Sequence, residues 1–215
     1  MSERTGKDDR IDVADDSGAG RDKASQIKAL ESEVAKLKRA LARAERRIKK
    51  LTTLAYQDSL LPVLNRRAFV RELTRVAGYG RRYGAANCLV YFDLNDLKTI
   101  NDAYAHDAGD EALRRVASVL LDETRDSDII GRLGGDEIGL VLVRVDEAVA
   151  TRKAAELAAK IASKPMLWRD RKIAVTVAYG VHPIGENDSA EDAIHRADQA
   201  MYARKAERGD DPALR

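Results

Sequence analysis

The sequence predicts an α/β (α+β) domain, helices flanking a mixed sheet, preceded by a long N-terminal helix that coils around a second helix. Three observations carry this. Apolar residues from Ile27 to Ala55 recur at alternating spacings of three and four. From Asp58 onward, short apolar runs alternate with stretches of helical period. Two strand-like runs meet at Gly134-Gly135-Asp136, which reads as a hairpin. Strands alternating with helices around one hairpin indicate a layered α/β domain.

Residues 1–22 are polar and charged, with almost nothing to bury, and are expected to be disordered. Residues 23–57 form the coil segment. Ile27, Val34, Leu41, Ile48 and Ala55 fall at heptad position a, and Leu30, Leu37, Ala44 and Leu51 at d. Mostly β-branched a positions with Leu at d favour a parallel two-stranded coil, hence a homodimer. Glu33 at g and Lys38 at the following e attract each other only in that orientation.

The globular domain spans 58–208, with a flexible tail at 209–215. Asn65 is placed to cap a helix that carries Phe69, Leu73 and Val76 on one face. Ala86 to Phe92 is a continuous apolar run of buried-strand length. The stretch GDEALRRVASVLLDET puts Leu113, Val116, Ala117, Leu120 and Leu121 on one helical face. DIIGRL and EIGLVLV are the hairpin strands. Ala154 to Ser163 is helical, KIAVTVAYGV is a strand, and a last helix follows a cap at Asp188 or Ser189.

Composition excludes several classes. Of 215 residues, 44% are hydrophobic and 34% charged, yet the formal net charge is only +2. A nucleic-acid binder would be more lopsided, so that class is disfavoured. Eight Lys and Arg residues between Lys36 and Lys50 crowd the heptads. In a basic zipper the basic block precedes them, so a solvated outer face is the better reading. One cysteine, Cys88, excludes a disulfide framework. No apolar run approaches the roughly 18–20 residues of a membrane span, and no signal core opens the chain. A cytoplasmic protein is expected.

The hairpin tip raises a chemical question. Gly134 and Gly135 suit a tight turn, because glycine tolerates positive φ. Asp136 and Glu137 beside them repel each other and stabilise nothing locally. A hard divalent cation explains them, with the bare glycines admitting a phosphate-bearing ligand. A second acidic segment follows the Ala86–Phe92 strand. Asp93 ends it, with Lys98, Asn101 and Asp110 further along. Sites in α/β sheets gather at strand ends. Together these residues describe a metal–nucleotide site.

Here the sequence resembles a known family. GGDEI, at Gly134–Ile138, resembles the Gly-Gly-Asp-Glu-Phe signature of GGDEF-domain diguanylate cyclases. DSLLPVLNRRAF resembles that family's opening segment, and FDLNDLKTINDAYAHDAGD its metal and base-binding segment. RDSD stands where the family often carries Arg-x-x-Asp, and ADQAMYARK resembles the closing helix motif. The resemblance covers about Asp58 to Arg208.

It implies a polymerase-palm-like fold and an enzyme that condenses two GTP into cyclic di-GMP with release of two pyrophosphates. It implies Mg²⁺, with Mn²⁺ as a substitute, held by Asp93, the Leu94 carbonyl, Asp136 and Glu137, and catalysis by Asp136 and Glu137. Gly134 and Gly135 would admit GTP, Asn101 and Asp110 would read guanine, and Lys98 and Lys205 would neutralise the triphosphate. Arg125 and Asp128 would form an inhibitory product site. The bond-forming site would lie between two copies.

Departures bear on these roles. Ile138 replaces Phe and is expected to pack behind the hairpin. Leu61-Pro62 stands for Thr-Gly, Asn95 for Asp, Ala105 for Gly, and Gly209 for an Arg. Two other readings stay open: a degenerate domain that binds GTP or cyclic di-GMP for signalling, and a coiled-coil scaffold or DNA-binding protein, suggested by the basic helix.

Overall fold

The computed structural model describes residues 17–207. The chain divides into two compact units, one ending at Leu51 and the other beginning at Thr52. The described residues of the first are one helix, α1, Ser17–Tyr56, whose last turn belongs to the second. It begins six residues before the expected end of the disordered tail, which corrects that boundary for residues 17–22. Once nucleated, a helix propagates cheaply, so weak formers such as Gly18 and Gly20 extend it. The rest of the expected tail, residues 1–16, and the tail at 209–215 lie outside the described residues. On α1, Leu30, Val34, Leu37, Leu41, Ile48 and Leu51 are 47% to 63% exposed. The heptad stripe is therefore bare on a single chain. The side chain of Ile27 lies outside the described residues.

The first whole helix of the second unit is α2, Arg66–Tyr83. Asn65 caps it, accepting from the Ala68 N–H, as its position suggested. Gly84 ends it at φ 65, a conformation that suits glycine. The strand β1, Asn87–Leu94, follows, buried on both faces. Two helices come next, α3, Leu97–Tyr104, and α4, His106–Glu123. Then come β2, Ile129–Arg132, and β3, Glu137–Val143. Helix α5, Glu147–Ser163, is capped by Asp146, which accepts from the Val149 N–H. Short strands β4, Met166–Trp168, and β5, Arg171–Ile173, pair with each other. Last are β6, Val177–Pro183, and α6, Ala190–Glu207. Ser189 and Asp192 cap α6 reciprocally.

The main sheet has the order β2-β3-β1-β6, and every pair in it is antiparallel. The α3–α4 crossover returns the chain so that β2 runs parallel to β1. The hairpin then folds β3 back between them. The only parallel pairing among the described residues is an isolated bridge, Leu64 to Gly131.

Three local readings change. KIAVTVAYGV is two strands, because the chain leaves one sheet at Ala174 and enters the other at Val177. Helix α5 begins at Glu147 rather than Ala154, since Asp146 supplies the cap. Leu121 is 40% exposed, while Leu113, Val116, Ala117 and Leu120 are buried, so the buried face of α4 is narrower than its pattern.

The core has two layers, one on each sheet face. Val90, Phe92 and Leu94 pack with α4 and α5, together with Ile138. Leu89 and Tyr91 pack with α2 and α6. Ile138 is 1% exposed, so the departure from Phe is absorbed in the core. Cys88 is buried, and burial pushes its thiol up to about 11, which leaves it inert at neutral pH.

Candidate nucleotide-binding site

The exit of β1 and the entrance of β3 lie side by side, with Asp93 opposite Glu137 in register. The Leu94 N–H donates to the Asp136 carbonyl at 3.1 Å, pinning the hairpin tip to the strand exit. A cavity of about 380 Å³ opens here, lined by Asp93, Leu94, Lys98, Asp136, Thr176 and Lys205 among others. Two predicted segments, far apart in sequence, thus meet at one mouth.

Asp93 is perturbed by its surroundings. Burial raises its carboxyl above the ordinary value, and the charges of Asp136 and Glu137 add to that, against the lowering effect of Lys205. The Lys205 ammonium, arriving from α6, lies 2.5 Å from Asp93 Oδ1. Both side chains are 18% exposed.

The glycines work differently from the expected tight turn. Among the described glycines only Gly84 has a positive φ. A Cβ at Gly134 would overlap Glu137 Oε2, so glycine lets the carboxylate fold back against the hairpin, and a larger residue would displace the end of that side chain. Gly135 faces open space. The buried Tyr91 hydroxyl hydrogen-bonds Glu137, and burial first, then that carboxylate, pushes the phenol up. The adjacent carboxylates therefore diverge. Asp136 lines the cavity, whereas Glu137 is packed between Gly134 and Tyr91.

Two arginines that the sequence reading passed over hold the hairpin. Arg132 donates from Nε to the Gly134 carbonyl at 3.1 Å and from Nη2 to the Gly135 carbonyl at 2.7 Å. Its Nη1 reaches Asp58 Oδ1 at 3.2 Å. Arg66, from the first turn of α2, donates to the Leu133 carbonyl at 2.8 Å. Asp58 also accepts from the Leu60 and Leu61 N–H groups. Burial alone would raise its carboxyl, but these two N–H groups and Arg132 outweigh that and hold it low. The available signal was Arg132 two residues before Gly134, where strand alternation aims its side chain along the hairpin.

Asn101 on α3 lies against Gly109 on α4, where a Cβ would overlap Asn101 Oδ1. That oxygen is buried and has no hydrogen-bond partner. Asp110 is the next residue, partly exposed, with Arg114 at 3.9 Å. The two proposed base-reading residues are thus neighbours, on the helices that follow the strand exit. Between those helices Ala105 sits at φ 71, ψ 167, a region essentially confined to glycine. This explains why glycine is usual there.

Arg125 and Asp128 are placed apart from the β1 exit. Asp128 accepts from the Arg125 N–H at 3.0 Å and the Val143 N–H at 3.2 Å. The exposed Arg125 side chain lines a separate cavity of about 530 Å³ with Arg75, Arg144, Tyr79 and Asn87. Arg75 and Arg144 were not anticipated from sequence.

Among the described residues no three His, Cys, Asp or Glu side chains converge closely enough to hold a metal ion. The donors at the mouth are nonetheless all hard oxygens, Asp93, Asp136 and the main chain of Leu94, which suits Mg²⁺ in kind. The cation now facing Asp93 is Lys205.

A helix-flanked antiparallel sheet with a Gly-Gly-Asp-Glu hairpin beside the exit of its central strand defines a GGDEF-type domain. The chain belongs to that family: the pattern of "Diguanylate cyclase, GGDEF domain" matches residues 55–211. It is 32% identical over 159 residues to the probable diguanylate cyclase DgcE of Escherichia coli, covering 74% of this chain and 14% of that protein. It is 30% identical over 151 residues to the diguanylate cyclase DgcP of Pseudomonas aeruginosa, covering 70% and 22%. The chain therefore spans well under a third of these relatives' lengths. Among solved structures it resembles the coiled coil and GGDEF domain of DgcB from Caulobacter crescentus in complex with c-di-GMP. The TM-score is 0.75 at 27% identity, covering 84% of this chain and 95% of that one. Among the described residues no helix is long and apolar enough to cross a membrane.

Proposed function

We propose that this protein is a diguanylate cyclase that condenses two GTP into cyclic di-GMP and releases two pyrophosphates. The observation that carries the reading is the meeting of Asp93, Asp136 and Lys205 at one cavity mouth, in a chain of this family. Mg²⁺ or Mn²⁺ would be held by Asp93, Asp136 and the Leu94 carbonyl, with Glu137 joining once it leaves Tyr91. The metal would polarise phosphate and lower the pKa of the attacking ribose hydroxyl. Lys98 and Lys205 face the triphosphate end. Asn101 and Asp110 bind guanine: the partnerless Asn101 oxygen and the Asp110 carboxylate are acceptors for the base's N–H donors. Adenine would leave them unmatched, which makes rejection strong.

The reaction needs two half-sites face to face. The bare heptad stripe of α1 supports a second copy as its cover, a parallel coil that brings the domains together. The solved neighbour's pairing of a coiled coil with this domain agrees. Product would bind at the Arg125 cavity and hold the domains apart. Incubating the purified protein with GTP and Mg²⁺ and resolving the nucleotides by chromatography tests the proposal. Cyclic di-GMP should appear, with two pyrophosphates per molecule.

A non-catalytic signalling module that binds nucleotide is the second reading. It is favoured by the Lys205 ammonium already paired with Asp93. Intact GTP after prolonged incubation, with cyclic di-GMP still bound in calorimetry, would establish it. Of the two departures behind this reading, Ile138 is buried in the core and Gly209 lies outside the described residues.

A further inference from the structure

Lys205 holds the position from which a metal ion would be repelled. Its ammonium is 2.5 Å from Asp93 Oδ1, and both groups are largely buried. A divalent ion on the same carboxylate would stand within a few ångströms of that ammonium, where like charges repel strongly at reduced dielectric. The remaining carboxylates do not compensate. Glu137 is turned away between Gly134 and Tyr91, and no three acidic groups converge among the described residues. Asp136 and Asp96 also line the mouth beside the Asp93–Lys205 pair, but Lys98 stands there as a second ammonium.

We infer that Lys205 locks Asp93 in the nucleotide-free protein, so that the metal enters with the nucleotide triphosphate rather than before it. The incoming phosphates draw the ammonium off Asp93. The freed carboxylate then accepts the ion the phosphates carry. The lysine thus exchanges one anion for another, and Asp93 is never left without a cation. Binding order follows from this exchange, and idle divalent ions do not occupy the mouth. The inference rests on the nucleotide reading of this cavity.

Mn²⁺ binding, followed by electron paramagnetic resonance of the free ion, tests it without turnover. The ligands are Mn²⁺ alone and Mn²⁺ with a GTP analogue whose α–β bridge is methylene and cannot release pyrophosphate. Wild-type protein should bind Mn²⁺ alone at least about tenfold more weakly than with the analogue. Lys205→Met should bind Mn²⁺ alone about tenfold more tightly than wild type, and the analogue more weakly. Lys205→Arg keeps the charge and should behave as wild type towards the ion alone. Equal Mn²⁺ affinity in wild type with and without the analogue overturns the lock. So does unchanged Mn²⁺ affinity in a folded Lys205→Met. Failure of the nucleotide reading looks different: the analogue does not bind at any Mn²⁺ concentration, while the comparison of the variants with the ion alone still reports on Lys205.

Discussion

The hairpin tip and the Arg125–Asp128 turn use the same two residue types in opposite ways. At the tip, the arginines are consumed by the protein. Arg132 and Arg66 take three successive carbonyls, from Leu133 to Gly135, and Arg132 also takes Asp58. A carboxylate, Asp136, is left facing the cavity. At the turn, the carboxylate is consumed. Both Asp128 oxygens accept main-chain N–H groups, and the Arg125 side chain is left lining a cavity with Arg75, which pairs with Glu72, and Arg144, which donates to the Tyr79 hydroxyl. The groups not spent on the fold indicate the ligand's charge: cations at the tip, anions at the turn. A motif such as Asp-Glu or Arg-x-x-Asp names the residues but not which of them the main chain has already claimed.

Asp136→Asn should break the tip most severely. The amide keeps the shape and removes the charge offered to the metal. Turnover should fall at least about a hundredfold, the scale of losing one preorganised electrostatic group. The melting temperature should hold or rise, since a charge repelling Asp93 is gone. Near-normal turnover would remove Asp136 from the site.

Arg132→Ala tests the consumed side of the same tip. It leaves two carbonyls and the Asp58 carboxylate without their donor, so stability should drop by about 1–3 kcal/mol. A hairpin shifted by an ångström should cost about a hundredfold in kcat, with a smaller change in KM. Asp58 gives this clamp a pH signature. Its folded pKa is depressed below the ordinary 3.8. Its contribution is therefore complete above the ordinary carboxylate range and lost as pH falls through the folded value. Asp58→Asn should be less stable than wild type at pH 7, and the gap should close below about pH 4. A gap that is constant with pH would show that Asp58 acts by shape alone.

Arg125→Ala addresses the turn. Initial GTP turnover should stay near wild type, because Arg125 does not line the tip cavity. Cyclic di-GMP binding should weaken about tenfold, the scale of one bidentate guanine contact. Asp128→Asn should instead cost stability, because its oxygens hold the Arg125 and Val143 N–H groups. Calorimetry with cyclic di-GMP and thermal melts on both variants separate the two effects. Loss of product binding without loss of stability in Asp128→Asn would show that the carboxylate serves the ligand after all.

Much of this was legible in the sequence, and the reasons are physical. Periodicity showed α1, α2 and α4, because burying one face imposes a repeat on the chain. An apolar run showed β1, and the hairpin placed β2 and β3. What stayed hidden was long-range or backbone-directed. Arg66 meets the Leu133 carbonyl across 67 positions, and carbonyl acceptors leave no mark on residue identity. Strand β4 is three residues long, too short for any period. The expected mixed sheet is antiparallel at every pair, because β3 inserts between β1 and β2, and no local signal tells this. Gly134 was read as a turn residue, whereas its backbone has no positive φ and its missing Cβ leaves room for a carboxylate three residues later. Composition cannot distinguish the two.

The smallest effect concerns a third ungiven group, the Asn101 oxygen, which is neither cation nor anion. It is buried without a partner against Gly109, and the α3–α4 junction at Ala105 holds it there. Ala105 occupies φ 71, ψ 167, where a Cβ costs about 1–3 kcal/mol. Ala105→Gly removes that strain but also loosens the unfolded chain, which takes back about 0.4–1 kcal/mol. A net gain of about 1 kcal/mol is expected, read as a rise of a few degrees in melting temperature. If Asn101 is aimed at guanine by this junction, KM for GTP should change little, because glycine can hold the same dihedrals. A lower melting temperature would show that the alanine is not strained. A raised KM with a higher melting temperature would show that the strained alanine itself keeps the Asn101 oxygen aimed at the base.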